Sequence, residues 1–202
     1  MNNGKHGGSR AGRFLSALAL PTILLLGATA CSGNDAAAGN DSATVTPDAK
    51  QALAALNAGL KAHAAGHLVT AAADYNTALK YDATNKFALY NLALIDEANG
   101  NYGLAEDKYR SALKTDPAYE PALFNLAILR TARNDPKEAI SLYERAVVAD
   151  KKDAAAWLNL GLLLRTNGQE RAGDKDVLRA IGLDPSLKDP AQPAGGAGPT
   201  SP

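Results

Sequence analysis

One cysteine, one tryptophan, one methionine and three phenylalanines are all that this 202-residue chain holds of those types. A lone cysteine excludes an intrachain disulfide and a cysteine-rich zinc site. An excess of one charge is missing as well: Lys and Arg number 21, Asp and Glu 21. Lys5, Arg10 and Arg13 come before residue 30 and no acid does, so the remainder carries 18 basic against 21 acidic groups. That balance supplies no basic stripe for displacing counterions from phosphates, and no nucleic-acid partner is expected. There is no H-E-x-x-H, no phosphate-cradling glycine loop and no nucleophile motif. His63 and His67 have the spacing of a metal pair on one helix, but Gly66 separates them onto two, and they are expected as surface histidines. Glu97, Asp107 and Glu138 are scattered acids on solvent faces. The expectation is a protein that is not an enzyme and needs no metal or cofactor. With 46% hydrophobic residues and few aromatics, the alanine-rich composition leans helical and suits one globular or repeat domain.

What is present begins with an address. Met1 to Arg13 is polar and positive, and Phe14 to Ala30 is a run of seventeen uncharged residues, the n-region and h-region of a secretory signal. Cys31 follows at once, behind Ala28-Thr29-Ala30 and ahead of Ser32-Gly33. The arrangement resembles the lipobox of bacterial lipoproteins, with Ala28 where that family prefers Leu. The resemblance implies cleavage before Cys31, diacylglycerol on its thiol and anchoring on the extracytoplasmic face of the cell membrane. Ala28-Thr29-Ala30 also satisfies an ordinary A-x-A cleavage site, and an uncleaved anchor is a third fate, short for a spanning helix and interrupted by Pro21. Residues 1–30 are thus expected to be a signal peptide. Residues 31–46, without Leu, Ile or an aromatic, are expected to be a lipidated cysteine and flexible linker, and 188–202 a disordered Pro/Gly tail.

Residues 47–187 form the expected folded domain. Stacked at a period of 34, the chain falls into four registers without insertion, 52–85, 86–119, 120–153 and 154–187. Counting position 1 at the start of each unit, position 8 holds Gly59, Ala93, Ala127 and Gly161, and position 20 Ala71, Ala105, Ala139 and Gly173. Position 24 holds Tyr75, Tyr109, Tyr143 and Val177, and position 27 is alanine throughout. Small residues at 8, 20 and 27 let two helices approach closely, with larger ones filling the space around them. Gly66, Gly100 and Gly168 at position 15 mark the turn inside a unit, while Pro117 and Pro185 at position 32 stop the second helix. These columns resemble the tetratricopeptide repeat. The resemblance implies an all-α fold, a right-handed α-solenoid of four helix-turn-helix repeats with eight antiparallel helices. Position 11 departs from it, with Ala62, Asp96, Arg130 and Leu164 where the family favours Tyr. The first helix is expected to start at Pro47.

At about 100° per residue, positions 4, 7, 8 and 11 of each first helix point one way, and positions 2, 5, 6, 9, 12 and 13 cluster nearly opposite. In the family that second face lines a concave groove. Here it holds Phe87, Tyr90, Leu94, Phe124 and Ile128, and at position 6 Asn57, Asn91, Asn125 and Asn159, four of four. Asparagine is poor inside a helix, but its amide offers two donors and an acceptor to the backbone of an extended ligand. The alternative is that the four are relics of duplication or bond the adjacent helix, and for Tyr90 and Phe124 that they pack between repeats. The partner expected is a protein or peptide segment of an exported or membrane protein, held by an envelope scaffold whose membrane contact is the lipid on Cys31. The competing reading is a self-associating spacer that forms a homo-oligomer.

Overall fold

The structure, a computed structural model, describes residues 47 to 191. The expected signal peptide, Cys31 and the expected linker to residue 46, and residues 192–202 of the expected tail, lie outside the described residues. Eight helices follow one another: α1 (Pro47–Ala64), α2 (Leu68–Tyr81), α3 (Lys86–Ala98), α4 (Tyr102–Thr115), α5 (Glu120–Ala132), α6 (Pro136–Ala149), α7 (Ala154–Thr166) and α8 (Glu170–Leu183). The described residues contain no strand, and none of their helices is long and apolar enough to cross a membrane. The second helices begin at 68, 102, 136 and 170 and end at 81, 115, 149 and 183, so the 34-residue period of the sequence is the period of the structure. α1 starts at Pro47, as expected, and its 18 residues make it about a turn longer than the others.

Both turns are set by single columns. At position 15 the backbone is left-handed in all four units, with φ of 77°, 76° and 81° at Gly66, Gly100 and Gly168 and 58° at Asn134. Asparagine is one of the few residues that tolerates this region, so the unit without glycine keeps the same turn. Each time, the N–H of position 16 donates back to the C=O of position 11, at 2.8 to 2.9 Å, closing the first helix with a Schellman bond. The second helices end at Asp82, Asp116, Asp150 and Asp184. The N–H of each donates to the alanine carbonyl four residues back, and its carboxylate accepts the N–H two residues on, at 2.8 to 3.1 Å. Four identical aspartates at one register were as visible as the four asparagines, and sequence reasoning passed over them.

Each first helix packs on its own second helix, and that second helix packs on the next first helix. Ala71, Ala105 and Ala139 are fully buried at the crossings, as are Tyr75 and Tyr109. Bonds of charge tie neighbouring units. Arg130 at position 11 pairs with Glu106 of α4 and Glu138 of α6, and Arg110 and Arg133 join the same two carboxylates. In the second and third units position 11 thus carries polar ties, Lys108 to Asp96 at 2.5 Å being the other, whereas in the first and fourth it is the apolar Ala62 and the buried Leu164.

The ends differ. Ala88, Leu92 and Ile95 of α3 are buried under α2, whereas the same positions in α1, Ala54, Ala58 and Lys61, are small or charged and exposed. After α8 the chain turns back instead of running free from residue 188. The Arg165 guanidinium of α7 donates two bonds to the Asp189 carboxylate, at 2.7 and 2.9 Å, and a third to Asp174 of α8. Residues 188 to 191, with Pro190 among them, form no helix.

The tightest crossing is that of α7 and α8. A Cβ at Gly161 would lie 2.7 Å from the Gly173 carbonyl, and one at Gly173 would lie 2.4 Å from that of Gly161. Gly161→Ala is expected to lower stability by about 1–3 kcal/mol through overpacking, measured by urea unfolding. Gly182→Ala, whose Cβ would meet nothing within 4 Å, is expected to raise it by about 0.5–1 kcal/mol.

Candidate functional site: the outward stripe of the first helices

Four positions of each first helix, 2, 6, 9 and 13, share one narrow stripe and turn away from the second helices. Large apolar side chains stand open along it: Leu53 is 54% exposed, Leu60 41%, Phe87 40% and Ile128 39%. Leu94 is half-buried between them. Exposed leucine is ordinary when isolated, but here α1, α3 and α5 each present such a residue on the same stripe.

Positions 5 and 12, expected on this same face, belong elsewhere. The Tyr90 ring packs on Tyr109, centroids 5.8 Å apart, and edge-on against Tyr119 at 5.5 Å. Phe124 meets Tyr143 at 5.9 Å. Position 12 supplies a polar partner to the same tyrosine column: His63 bonds the Tyr75 hydroxyl at 3.3 Å, and the Tyr109 hydroxyl donates to Glu97 at 2.5 Å. Thr131 serves Tyr143 in the third unit. In the fourth, where Val177 has no hydroxyl, position 12 is Arg165 and turns to Asp174 and Asp189. The reason is angular: at about 100° per residue, positions 5 and 12 lie on the flank of the stripe, within reach of the second helix. Burial pushes the Tyr90 hydroxyl up to about 12 and raises Glu97 above the usual carboxylate range, so both groups are fitted to a packed seam.

The asparagine column divides. The Asn91 amide donates to the Phe87 carbonyl of its own helix at 2.8 Å, and that of Asn125 donates to the Tyr90 hydroxyl of the preceding first helix at 3.0 Å. No hydrogen bond within the described residues engages the amides of Asn57 and Asn159. The column thus joins two neighbouring units at one point and presents unused donors and acceptors at others.

Among the described residues no group of three His, Cys, Asp or Glu could hold a metal. His63 sits half-buried on α1 and His67 precedes α2, so the pair is indeed divided between two elements. A surface depression of about 730 Å³ lies at the start of α4 among Tyr102, Leu104, Glu106 and Arg133, away from the stripe. Its carboxylate is held by the arginines already described.

Models of the tetratricopeptide repeat match residues 56–120, 97–163 and 154–187. The chain is a tetratricopeptide-repeat protein. No curated protein sequence matches it. Among solved structures, MamA superposes with a TM-score of 0.60 at 18% identity, over 67% of this chain and 79% of that one. YrrB, described as a TPR protein with an unusual peptide-binding site, gives 0.61 at 22%, over 66% and 69%. The protein pilF of Pseudomonas aeruginosa gives 0.61 at 20%, over 69% and 64%. At such identities the likeness establishes the fold, an all-α solenoid of tetratricopeptide repeats.

One carboxyl of the array supplies a test of its electrostatics. Glu120, at the start of α5, is desolvated and lies against Asp153 and Asp150, which together push it up to about 8; its Oε1 is buried without a hydrogen-bond partner. A folded-state value above the ordinary 4.5 means that the proton stabilises the fold. The contribution is complete below about 4.5 and is lost as pH rises through about 8. Thermal melts between those limits should fall for the wild type and flatten for Glu120→Gln; parallel curves would contradict the assignment.

Proposed function

We propose that this tetratricopeptide array is a non-catalytic protein-protein interaction scaffold of the bacterial envelope, tethered to the membrane through lipid on Cys31. Its stripe would hold a segment of an exported or membrane protein. The observation that carries the reading is the row of open apolar side chains on successive first helices, interleaved with asparagine amides. A surface of that kind is worth burying, and its amides can satisfy a peptide backbone that is buried with it. The peptide-binding site of YrrB, a protein of the same fold, is consistent with such a use. The address comes from the sequence: the uncharged run of Phe14 to Ala30, then Cys31 and a spacer with nothing to bury. Two acyl chains suffice for stable anchoring, whereas one is marginal.

A second reading, self-association as a structural spacer, draws on a different surface. Val148 of α6 and Leu178 and Leu183 of α8 are exposed away from the stripe. Sedimentation of the isolated protein that shifts with concentration, and is abolished by Leu178→Lys, would favour it.

Two measurements test the leading reading. Crosslinking from membranes should capture a heterologous protein with the wild type, and Ile128→Lys should reduce that capture at least about tenfold with helicity unchanged; equal capture would count against the stripe. Metabolic labelling with a fatty acid should mark the wild type and not Cys31→Ser, which should also leave the membrane fraction. An unlabelled wild type would remove the lipid anchor from the account.

A further inference from the structure

Positions 2, 6, 9 and 13 of the four units are sixteen residues, and not one of them is charged. In a chain that is 21% charged, solvent-exposed helix faces are where charges normally gather. The charges on the flanks of the three inner first helices are also taken. On α3, Lys86 pairs with Asp116 at 2.5 Å, Asp96 with Lys108, and Glu97 accepts from Tyr109. On α5, Arg130 is held by Glu106 and Glu138, and Glu120 lies against Asp153 with its affinity for a proton raised. On α7, Arg165 is held by Asp174 and Asp189. The helix dipole adds little along the middle of such helices, since its effect is confined to the first and last turns.

We propose that the segment this stripe accepts is an extended peptide without charged side chains, its small or apolar residues lying on positions 2 and 9 and its backbone bonded by the position 6 amides. The argument is complementarity by exclusion. Across α3, α5 and α7 a lysine or glutamate in the bound segment would lose its hydration against leucine, isoleucine and phenylalanine and would find no opposite charge free to meet it. Lys50 and Lys61 of α1, exposed and in no ion pair among the described residues, confine the exclusion to those three helices. An uncharged segment loses only backbone hydration, which the asparagines replace; Asn57 and Asn159 have their full amide capacity available and Asn125 its carbonyl. Length follows from the fold: three helix-to-helix steps of about 8–10 Å, at about 3.3 Å per extended residue, correspond to a segment of roughly eight to ten residues. Binding of this kind has little dependence on salt, unlike the charge clamps that read acidic or basic motifs.

The inference rests on the stripe being the binding face, and the test separates the two. A phage-displayed library of random peptides of about twelve residues, long enough to span the stripe, is selected on the detergent-solubilised full chain. Selected peptides are resynthesised with and without one central Lys or Glu, and affinity is read by fluorescence anisotropy at about 50 mM and about 500 mM salt. Selected sequences should lack charge across their central residues, lose affinity about tenfold or more on insertion of either charge, and change less than about twofold with salt. Enrichment of charged peptides whose binding is lost in salt and on Ile128→Lys would overturn the inference while leaving the stripe as the binding face. Selected peptides that bind Ile128→Lys as tightly as the wild type would overturn the binding face itself. A library yielding no binder would count against both.

Discussion

The close crossing of two helices within each repeat is the constraint on which everything else depends. Position 8 of the first helix and positions 20 and 27 of the second are glycine or alanine in all four units, and where both crossing residues are glycine the backbones nearly touch. Once that contact is made, the hydroxyl of a tyrosine at position 24 is enclosed and must find a partner, because an unsatisfied buried hydroxyl costs about 1–3 kcal/mol. Position 12 provides it, as histidine, glutamate or threonine, and becomes an arginine with other duties where position 24 is valine. The crossing also decides what is left over. With one flank of each first helix consumed by the seam, only the narrow stripe of positions 2, 6, 9 and 13 remains open.

The array itself was legible in the residues because a 34-residue period with no insertion leaves helix boundaries little freedom, and every second helix begins and ends at the same register. Two turn devices were equally written there. Asn134 stands where the other units have glycine, and its positive φ follows from the register even though its identity differs. The four aspartates that close the second helices needed only the same stacking. The assignment of faces was harder. Helical angles put positions 5 and 12 on the flank between the two faces, and the observed packing of Tyr90 and Phe124 on tyrosines of the second helices assigns them to the seam. Nor could spacing reveal that Asp189, in a segment composed like a loose tail, would be held on Arg165, because that bond depends on how the chain turns after α8.

The asparagine column shows why a repeated residue need not have one role. Asn125 connects two units through Tyr90, Asn91 bonds its own helix, and Asn57 and Asn159 are unengaged. A residue kept at one register by repetition meets four different surroundings, and its contribution to structure or to binding differs in each. Partly exposed ion pairs join neighbouring helices of this solenoid, yet its stripe has none, because the charges flanking it on α3, α5 and α7 turn toward those neighbours. The proposed recognition of a peptide backbone and apolar side chains stands on that separation.

The most direct test is methyl NMR of the full chain with an uncharged peptide selected from the random library. Leu60, Leu94, Ile128 and Leu162 place one reporter at position 9 of each repeat, while Leu178 and Leu183 report on the exposed face of α8. The account predicts that adding the peptide shifts the position 9 methyls and leaves those of α8 in place. Shifts confined to Leu178 and Leu183 would contradict it and make the terminal helix the site of association.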